Sequence, residues 1–138
     1  MVAIPDKYFG VWKLHKNENL EALLEQEGVN WMMRKMAKNM PMTKIICQDG
    51  DEYVMVNENP MKRQEIKFKL GETVQVPHPM NGKIVKYTFT MKNGILVENS
   101  VNEEGSFHTT TYDFDNDMLF ATQECKGITV RRWFKKAP

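Results

Sequence analysis

Two adjacent arginines near the end of the chain carry the clearest chemistry in this sequence. Arg131 and Arg132 lie in the stretch Lys126-Gly127-Ile128-Thr129-Val130-Arg131-Arg132-Trp133-Phe134, whose β-branched and aromatic residues are typical of a strand. Successive strand side chains point to opposite faces, so one of the two arginines faces inward. A buried guanidinium needs a partner, because burying an unpaired charge is costly. That partner is either the acidic or polar headgroup of a ligand or a set of carboxylates on neighbouring strands.

Three histidines, His15, His78 and His108, are the candidate general bases of an enzyme. No arrangement of nucleophile, histidine and acid surrounds them, and no metal-ligand spacing does. His78 lies between two prolines, which indicates a loop residue. The pattern therefore favours a binding protein that needs no metal and no cofactor.

The length and net charge of the chain narrow the class of binding protein further. The chain has 138 residues, which predicts one domain spanning 1–138. Its 19 basic and 18 acidic residues give a formal charge of +1, so the general electrostatic footprint of a nucleic-acid-binding protein is missing. Two cysteines that lie far apart, Cys47 and Cys125, and the lack of an apolar signal segment predict free thiols in a reducing cytoplasm rather than secretion.

The order of the predicted helices and strands indicates the fold that holds the inward arginine. A first strand from Tyr8 to Leu14 precedes a helix over about 17–27, with Asn17 as its N-cap, and a second helix over about 29–39. After Pro41, short strands alternate with turn signals such as Asp49-Gly50 and Asn93-Gly94. The pattern predicts an all-β meander of about ten strands that closes into a barrel, with the two helices capping one end.

Polar residues occur on both faces of several predicted strands, which is atypical of a dry core. The runs Asn99-Ser100 and Thr109-Thr110-Thr111 and the residue Gln123 are the examples. A barrel that encloses water and one guest molecule accommodates such residues. Five methionines within eleven residues, from Met32 to Met42, suit a surface that adapts to apolar guests.

Two segments resemble one protein family. Gly10-Val11-Trp12-Lys13-Leu14 with Asn17-Glu18-Asn19-Leu20, followed by Gly28-Val29-Asn30-Trp31-Met32-Met33-Arg34-Lys35, is similar to the start of intracellular lipid-binding proteins, specifically the cytosolic fatty-acid-binding branch of the calycin superfamily. The similarity continues to Lys126-Gly127-Ile128-Thr129 and the arginine five residues after that glycine. It implies a ten-stranded antiparallel up-and-down β-barrel with a helix-turn-helix lid after the first strand. A lipocalin is the alternative architecture.

The resemblance assigns the inward position to Arg132 and leaves Arg131 on the surface. Phe134 replaces the tyrosine usual in the family, and Tyr112 stands where a second arginine is common. The implied headgroup site therefore offers one charge and at most one phenolic hydrogen bond. Such a site suits a long-chain fatty acid, with acylethanolamides, monoacylglycerols or retinoids as the alternative cargo.

The resemblance also implies a set of lining residues and a docking surface. The implied portal is lined by Leu20, Met36, Ala37 and Met61, and the interior by Met42, Asn57, Gln64, Ser100, Ala121 and Gln123. On the second helix, Arg34, Lys35 and Lys38 are candidates for contact with anionic membranes, a nuclear-import receptor or a nuclear receptor, although Glu25 occupies the third position of the family's import signal. The expected protein is a monomeric carrier in the cytoplasm, with the nucleus as a second compartment.

Overall fold

The computed structural model describes residues 2–79 and 81–138. After a short 3-10 turn at Asp6–Tyr8, two helices and ten strands follow. Their bounds are β1 Gly10–Glu18, α1 Leu20–Gln26, α2 Trp31–Lys38, β2 Thr43–Asp49, β3 Glu52–Glu58, β4 Arg63–Phe68, β5 Thr73–Pro77, β6 Ile84–Lys92, β7 Ile95–Val101, β8 Phe107–Asp115, β9 Met118–Cys125 and β10 Ile128–Lys136.

The ten strands form one antiparallel sheet in the order β4-β3-β2-β1-β10-β9-β8-β7-β6-β5. Hairpins join β2 to β4 in one half and β5 to β10 in the other, while the two helices connect β1 to β2. The pairing of β1 with β10 joins the two ends of the chain, with Asn17 opposite Arg132. The outer strands β4 and β5 face each other without a ladder, so the barrel is nearly closed. The predicted all-β meander with two helices after the first strand is confirmed.

Turn chemistry explains the register of these hairpins. Asn93 and Gly94 join β6 to β7 with φ values of 55° and 80°. Positive φ at both central residues defines the turn that matches the twist of the flanking strands, and asparagine followed by glycine adopts it with little strain. The predicted turn at this site is therefore explained by its backbone geometry.

The lid begins later than predicted. Asn17 is not a helix N-cap: it lies in β1, which continues to Glu18, and α1 starts after Asn19. Pairing with β10 satisfies the backbone at Asn17, whereas a helix beginning there would forfeit that ladder. The second helix is capped by Asn30, whose side chain accepts a hydrogen bond of 2.9 Å from the backbone N–H of Met33.

One end of the barrel is filled by aromatic side chains. Tyr8, Trp12, Phe68 and Phe89 are fully buried there and are called the aromatic floor below. The rings of Phe68 and Phe89 stack with centroids 3.9 Å apart. The Tyr8 hydroxyl donates a hydrogen bond of 2.6 Å to the backbone carbonyl of Tyr112. The cavity described below lies in the half of the barrel nearer the lid, and none of these four rings is part of its lining.

Within residues 2–79 and 81–138, neither helix has the length and apolar character needed to cross a membrane.

Candidate functional site: a cavity beneath the helical lid

Two chambers lie between the aromatic floor and the lid. The inner chamber, of about 270 Å³, is lined by Lys44, Tyr87, Glu98, Thr110, Tyr112, Ala121, Gln123, Val130 and Phe134 together with five shared residues. The outer chamber, of about 330 Å³, is lined by the shared residues and by Leu14, Leu20, Leu24, Ala37, Met40, Pro41, Glu58, Asn59, Lys62 and Pro79. The shared residues are Met42, Asn57, Gln64, His78 and Arg132. Because they border both spaces, the chambers form one path from the lid to the interior.

Lys44 places an ammonium group inside the barrel. Its side chain comes from β2 and is only 5% exposed. The Nζ atom donates to Asn57 Oδ1 at 2.6 Å and to Tyr112 Oη at 3.3 Å. Burial lowers the pKa of Lys44 to about 8, against the attraction of the Glu98 carboxylate. At neutral pH this lysine is therefore still mainly charged, at a free-energy cost.

Tyr112 and Glu98 form the second part of the inner chamber. The phenol of Tyr112 donates to Glu98 Oε1 at 2.6 Å. Burial, and then the charge of Glu98, raise the pKa of Tyr112 well above its ordinary value. The phenol therefore keeps its proton, and that proton is committed to Glu98 rather than to a ligand.

Hydrogen bonds extend from Lys44 across the cavity to β6. Asn57 Nδ2 donates to Gln64 Oε1 at 3.2 Å, and Gln64 Nε2 donates to Tyr87 Oη at 3.0 Å. Burial raises the pKa of Tyr87 to about 12. Glu98, Tyr112, Lys44, Asn57, Gln64 and Tyr87 thus form one continuous polar network.

Arg132 lies where the two chambers meet, outside this network. Its Nη1 donates to the sulfur of Met42 at 3.4 Å, and its buried Nε has no hydrogen-bond partner. Burial lowers the pKa of Arg132, against the attraction of Tyr112 and Glu98, but a guanidinium stays charged in proteins. Among the described residues no carboxylate forms an ion pair with Arg132. The described lining of the inner chamber holds two cations, Lys44 and Arg132, against one carboxylate, Glu98.

The outer surface of the lid combines apolar and basic side chains. Trp31 and Met32, on α2, are 63% and 66% exposed. Two of the three basic residues are tied down, since Arg34 Nη1 donates to the Val29 carbonyl at 2.7 Å and Lys35 forms an ion pair of 2.7 Å with a glutamate of α1. Lys38 is exposed and forms no ion pair among the described residues.

Comparison with known proteins decides the family. No protein-family model matches the chain. The fatty acid-binding protein homolog 4 of Caenorhabditis elegans is 37% identical, over 98% of this chain and 97% of that protein. The chain belongs to the fatty-acid-binding protein family. The resemblance carried by the opening segments and the terminal arginine is thus confirmed.

Solved structures of fatty-acid-binding proteins share this fold. As-p18, described as an extracellular fatty acid binding protein, matches with a TM-score of 0.89 and 29% identity over 99% of this chain and 100% of its own. The Schistosoma mansoni fatty acid binding protein in complex with arachidonic acid matches with a TM-score of 0.87 and 23% identity, over 99% of this chain and 100% of its own. At 23% identity, the similarity to the Schistosoma mansoni protein shows a shared fold and nothing more.

Most of the residues expected from the family pattern line the cavity. Met42, Asn57, Gln64 and Arg132 border both chambers; Tyr112, Ala121, Gln123 and Phe134 border the inner one; Leu20 and Ala37 border the outer one. Met36 and Met61 are exposed and Ser100 is buried, and none of these three borders either chamber. Arg131 is exposed and Arg132 faces inward, which is the assignment that the resemblance implied.

The expected headgroup chemistry needs correction at two points. A single charge was expected, but Lys44 adds a second buried cation. A free phenolic hydrogen bond was expected, but the Tyr112 hydroxyl already donates to Glu98. The sequence did not decide the direction of Lys44, because Ile45 and Ile46 are adjacent and either could face inward. The structure buries Ile46 fully, and Lys44, two residues earlier on β2, shares its inward face.

Proposed function

We propose that this protein is a carrier of long-chain fatty acids, which it binds with the carboxylate between Arg132 and Lys44. The observation that carries the proposal is the charge imbalance of the inner chamber, where two buried cations face one carboxylate, Glu98. A fatty-acid anion supplies the missing negative charge and gives the Arg132 guanidinium the acceptor it lacks. The relatives, which are named fatty acid-binding proteins, agree with this cargo.

The outer chamber suits the hydrocarbon tail. Leu14, Leu20, Leu24, Ala37 and Met40 supply an apolar lining beneath the lid. An 18-carbon tail gains roughly 13 kcal/mol on burial, at about 0.8 kcal/mol per methylene, and several kcal/mol of this are lost with the freedom of the ligand. The tail therefore supplies most of the affinity, and the cations select the headgroup. Binding and release need no covalent chemistry, which suits a carrier rather than an enzyme.

The same charge imbalance disfavours neutral cargo. An acylethanolamide or a monoacylglycerol would leave Arg132 and Lys44 without a counter-charge, and it would not find a free phenol at Tyr112. A carboxylate forms charge-assisted hydrogen bonds that a neutral amide or ester cannot match. The fatty acid is therefore the favoured member of the two classes.

Competitive displacement of a fluorescent fatty acid tests the headgroup site. We expect Arg132→Gln to weaken oleate binding by about 10- to 100-fold, which corresponds to a charged hydrogen bond of roughly 1.5 to 3 kcal/mol. Oleoylethanolamide, which lacks the charge, should bind both proteins with nearly the same affinity. Arg131→Gln, at the exposed neighbour, is the matched control and should leave oleate binding unchanged. Equal losses for oleate and for the amide would contradict a carboxylate site.

Delivery through the lid is the second part of the proposal. We infer that α2 docks transiently on anionic membranes, with Trp31 and Met32 entering the interface and Lys38 meeting lipid headgroups. Exposed aromatic and methionine side chains beside a basic residue suit an interfacial helix. Arg34 and Lys35 contribute less, because their side chains already bond within the lid.

Fatty-acid transfer to vesicles tests this docking. With phosphatidylserine vesicles, Trp31→Ala combined with Lys38→Gln should slow transfer several-fold while the solution affinity for oleate stays constant. Lys86→Gln, an exposed lysine on β6, is the matched control for charge. Unchanged transfer to anionic vesicles would exclude docking through α2 and leave free diffusion of the ligand as the route.

The compartment and assembly state complete the proposal. We infer a monomeric carrier, folded as one unit over 1–138, that acts in the cytoplasm and exchanges with the nucleus. An exposed free thiol at Cys47 suits a reducing compartment. Because As-p18 is described as extracellular, fractionation of cells and medium is the direct test, and recovery of the protein in the medium would overturn this assignment.

A further inference from the structure

Three potential metal ligands meet where the lid joins the barrel. Glu27 directly follows α1, His108 lies near the start of β8, and Cys125 ends β9. The sulfur of Cys125 lies 3.6 Å from His108 Nε2, and His108 Nε2 lies 3.7 Å from Glu27 Oε1. One ligand atom from each residue falls within 4.8 Å of the other two. This cluster takes no part in the cavity chemistry described above.

The sulfur–nitrogen distance of 3.6 Å already fits a tetrahedral zinc ion, whereas the nitrogen–oxygen distance of 3.7 Å would shorten when the ion binds. Zinc binds thiolate sulfur at about 2.3 Å and imidazole nitrogen or carboxylate oxygen at about 2.0 to 2.2 Å. At tetrahedral angles, those bonds separate sulfur from nitrogen by about 3.6 Å and nitrogen from oxygen by about 3.3 Å. We propose that Glu27, His108 and Cys125 form a site for Zn²⁺, with water as the fourth ligand.

The surroundings support a metal site over a catalytic thiol. The amide nitrogen of Gln123 lies 3.0 Å from His108 Nδ1. With Nε2 on the metal, Nδ1–H has to donate, so the Gln123 amide would turn over and accept this hydrogen bond through Oε1, as the outer-shell partner of a metal-bound histidine does. Burial, and then the charge of Glu27, raise the pKa of the Cys125 thiol, so an unmetallated Cys125 is a poor nucleophile. Glu27 is partly exposed and gives an ion access from solvent.

The position of the site gives it a structural consequence. The end of α1 is held to the barrel by Leu23, which packs with Cys125 and Val130. A zinc ion would add a second connection between this helix and β8 and β9. Gln123 also lines the inner chamber, so the same ion would connect the lid to the cavity. We expect zinc to slow release of the fatty acid, an expectation that rests on the proposed carrier function.

Cobalt binding to the tag-free protein tests the site without any lipid. Titration with Co²⁺ should produce thiolate-to-cobalt charge-transfer absorption that saturates at one ion per chain and disappears on addition of Zn²⁺. Cys125→Ser should abolish this band, and Gln123→Ala should weaken metal binding by about 10- to 100-fold. Cys47→Ser and His15→Gln, at exposed residues outside the cluster, are the matched controls and should bind as the wild type does.

Glu27→Gln is a second test of the site, which is needed because Cys125→Ser changes a buried residue and could impair folding. This exposed substitution should preserve the fold, retain a weakened cobalt band and reduce the zinc-induced rise in Tm, which we expect to be about 10 °C in wild type at Zn²⁺ concentrations 100 times Kd. Absence of the cobalt band in wild type, or a band that survives Cys125→Ser or is lost in Cys47→Ser, would overturn the site. The cobalt titration uses no fatty acid, so it tests the metal site independently. A failure of fatty-acid binding would overturn the proposed carrier function without affecting this result.

Discussion

The two ends of the barrel interior differ in what they bury. The aromatic floor contains the stacked rings of Phe68 and Phe89, and its polar Tyr8 hydroxyl bonds to backbone groups. The half nearer the lid instead contains Lys44 and Arg132, with an unpartnered Nε on the arginine. Burial of apolar surface stabilises the floor, whereas burial of charge destabilises the cavity. Stability and ligand recognition are therefore separated along the barrel axis.

The pKa of Lys44 gives the size of that destabilisation. Lowering it from 10.5 to about 8 corresponds to a cost of about 3 kcal/mol for keeping the charged form in the fold. The folded-state pKa lies below the unfolded value, so the cost is fully present below pH 8. It disappears as the pH rises toward 10.5.

The largest expected effect on stability comes from truncating a side chain of the aromatic floor. Phe68→Ala should reduce the free energy of unfolding by about 3 to 5 kcal/mol, because it removes a fully buried ring and leaves a cavity. Oleate affinity of the remaining folded protein should change little, since Phe68 borders neither chamber. Urea unfolding and ligand displacement measure the two quantities. Phe107→Ala, at an exposed ring, is the control, and a large loss of affinity in Phe68→Ala would contradict the separation.

The opposite effect is expected from Lys44→Met. Replacing the buried ammonium by an apolar chain should raise the free energy of unfolding at pH 7 by about 1 to 3 kcal/mol, since the lost hydrogen bond to Asn57 offsets part of the gain. The same substitution should weaken oleate binding by about 10-fold or more. Thermal unfolding and displacement assays test both parts, with Lys86→Met as the exposed control. Lower stability together with unchanged affinity would show that Lys44 serves the fold instead.

The smallest expected effect is a pH dependence that sharpens this assignment. Between pH 8 and 10.5 the unfolded chain holds the Lys44 proton more tightly than the folded protein, so stability should rise relative to Lys44→Met, by at most about 1.4 kcal/mol per pH unit. Over the same range the wild type should lose oleate affinity as the ammonium loses its proton. Unfolding and binding measured across the range check both slopes, and parallel curves for the two proteins would contradict the role of Lys44.

Strand periodicity and turn chemistry in the sequence were sufficient for the barrel and for one inward arginine, and the family resemblance identified that arginine as Arg132. Alternation along the last strand required one arginine to face inward, and asparagine followed by glycine located a hairpin because few other residues adopt positive φ there. The start of α1 was missed because Asn17 suits a helix cap locally. Pairing with β10, distant in sequence, instead keeps it in a strand.

Only the tertiary structure decided which charges meet in the cavity. Lys44, Glu98 and Tyr112 come from β2, β7 and β8, and their contacts depend on barrel closure and on strand register rather than on local sequence. The same is true of Glu27, His108 and Cys125, which are separated along the chain and meet because the lid folds over the ends of β8 and β9. The sequence by itself determined the strands, the turns and the inward arginine, because those depend on near neighbours. The partners of each buried charge depend on residues that are distant in the sequence.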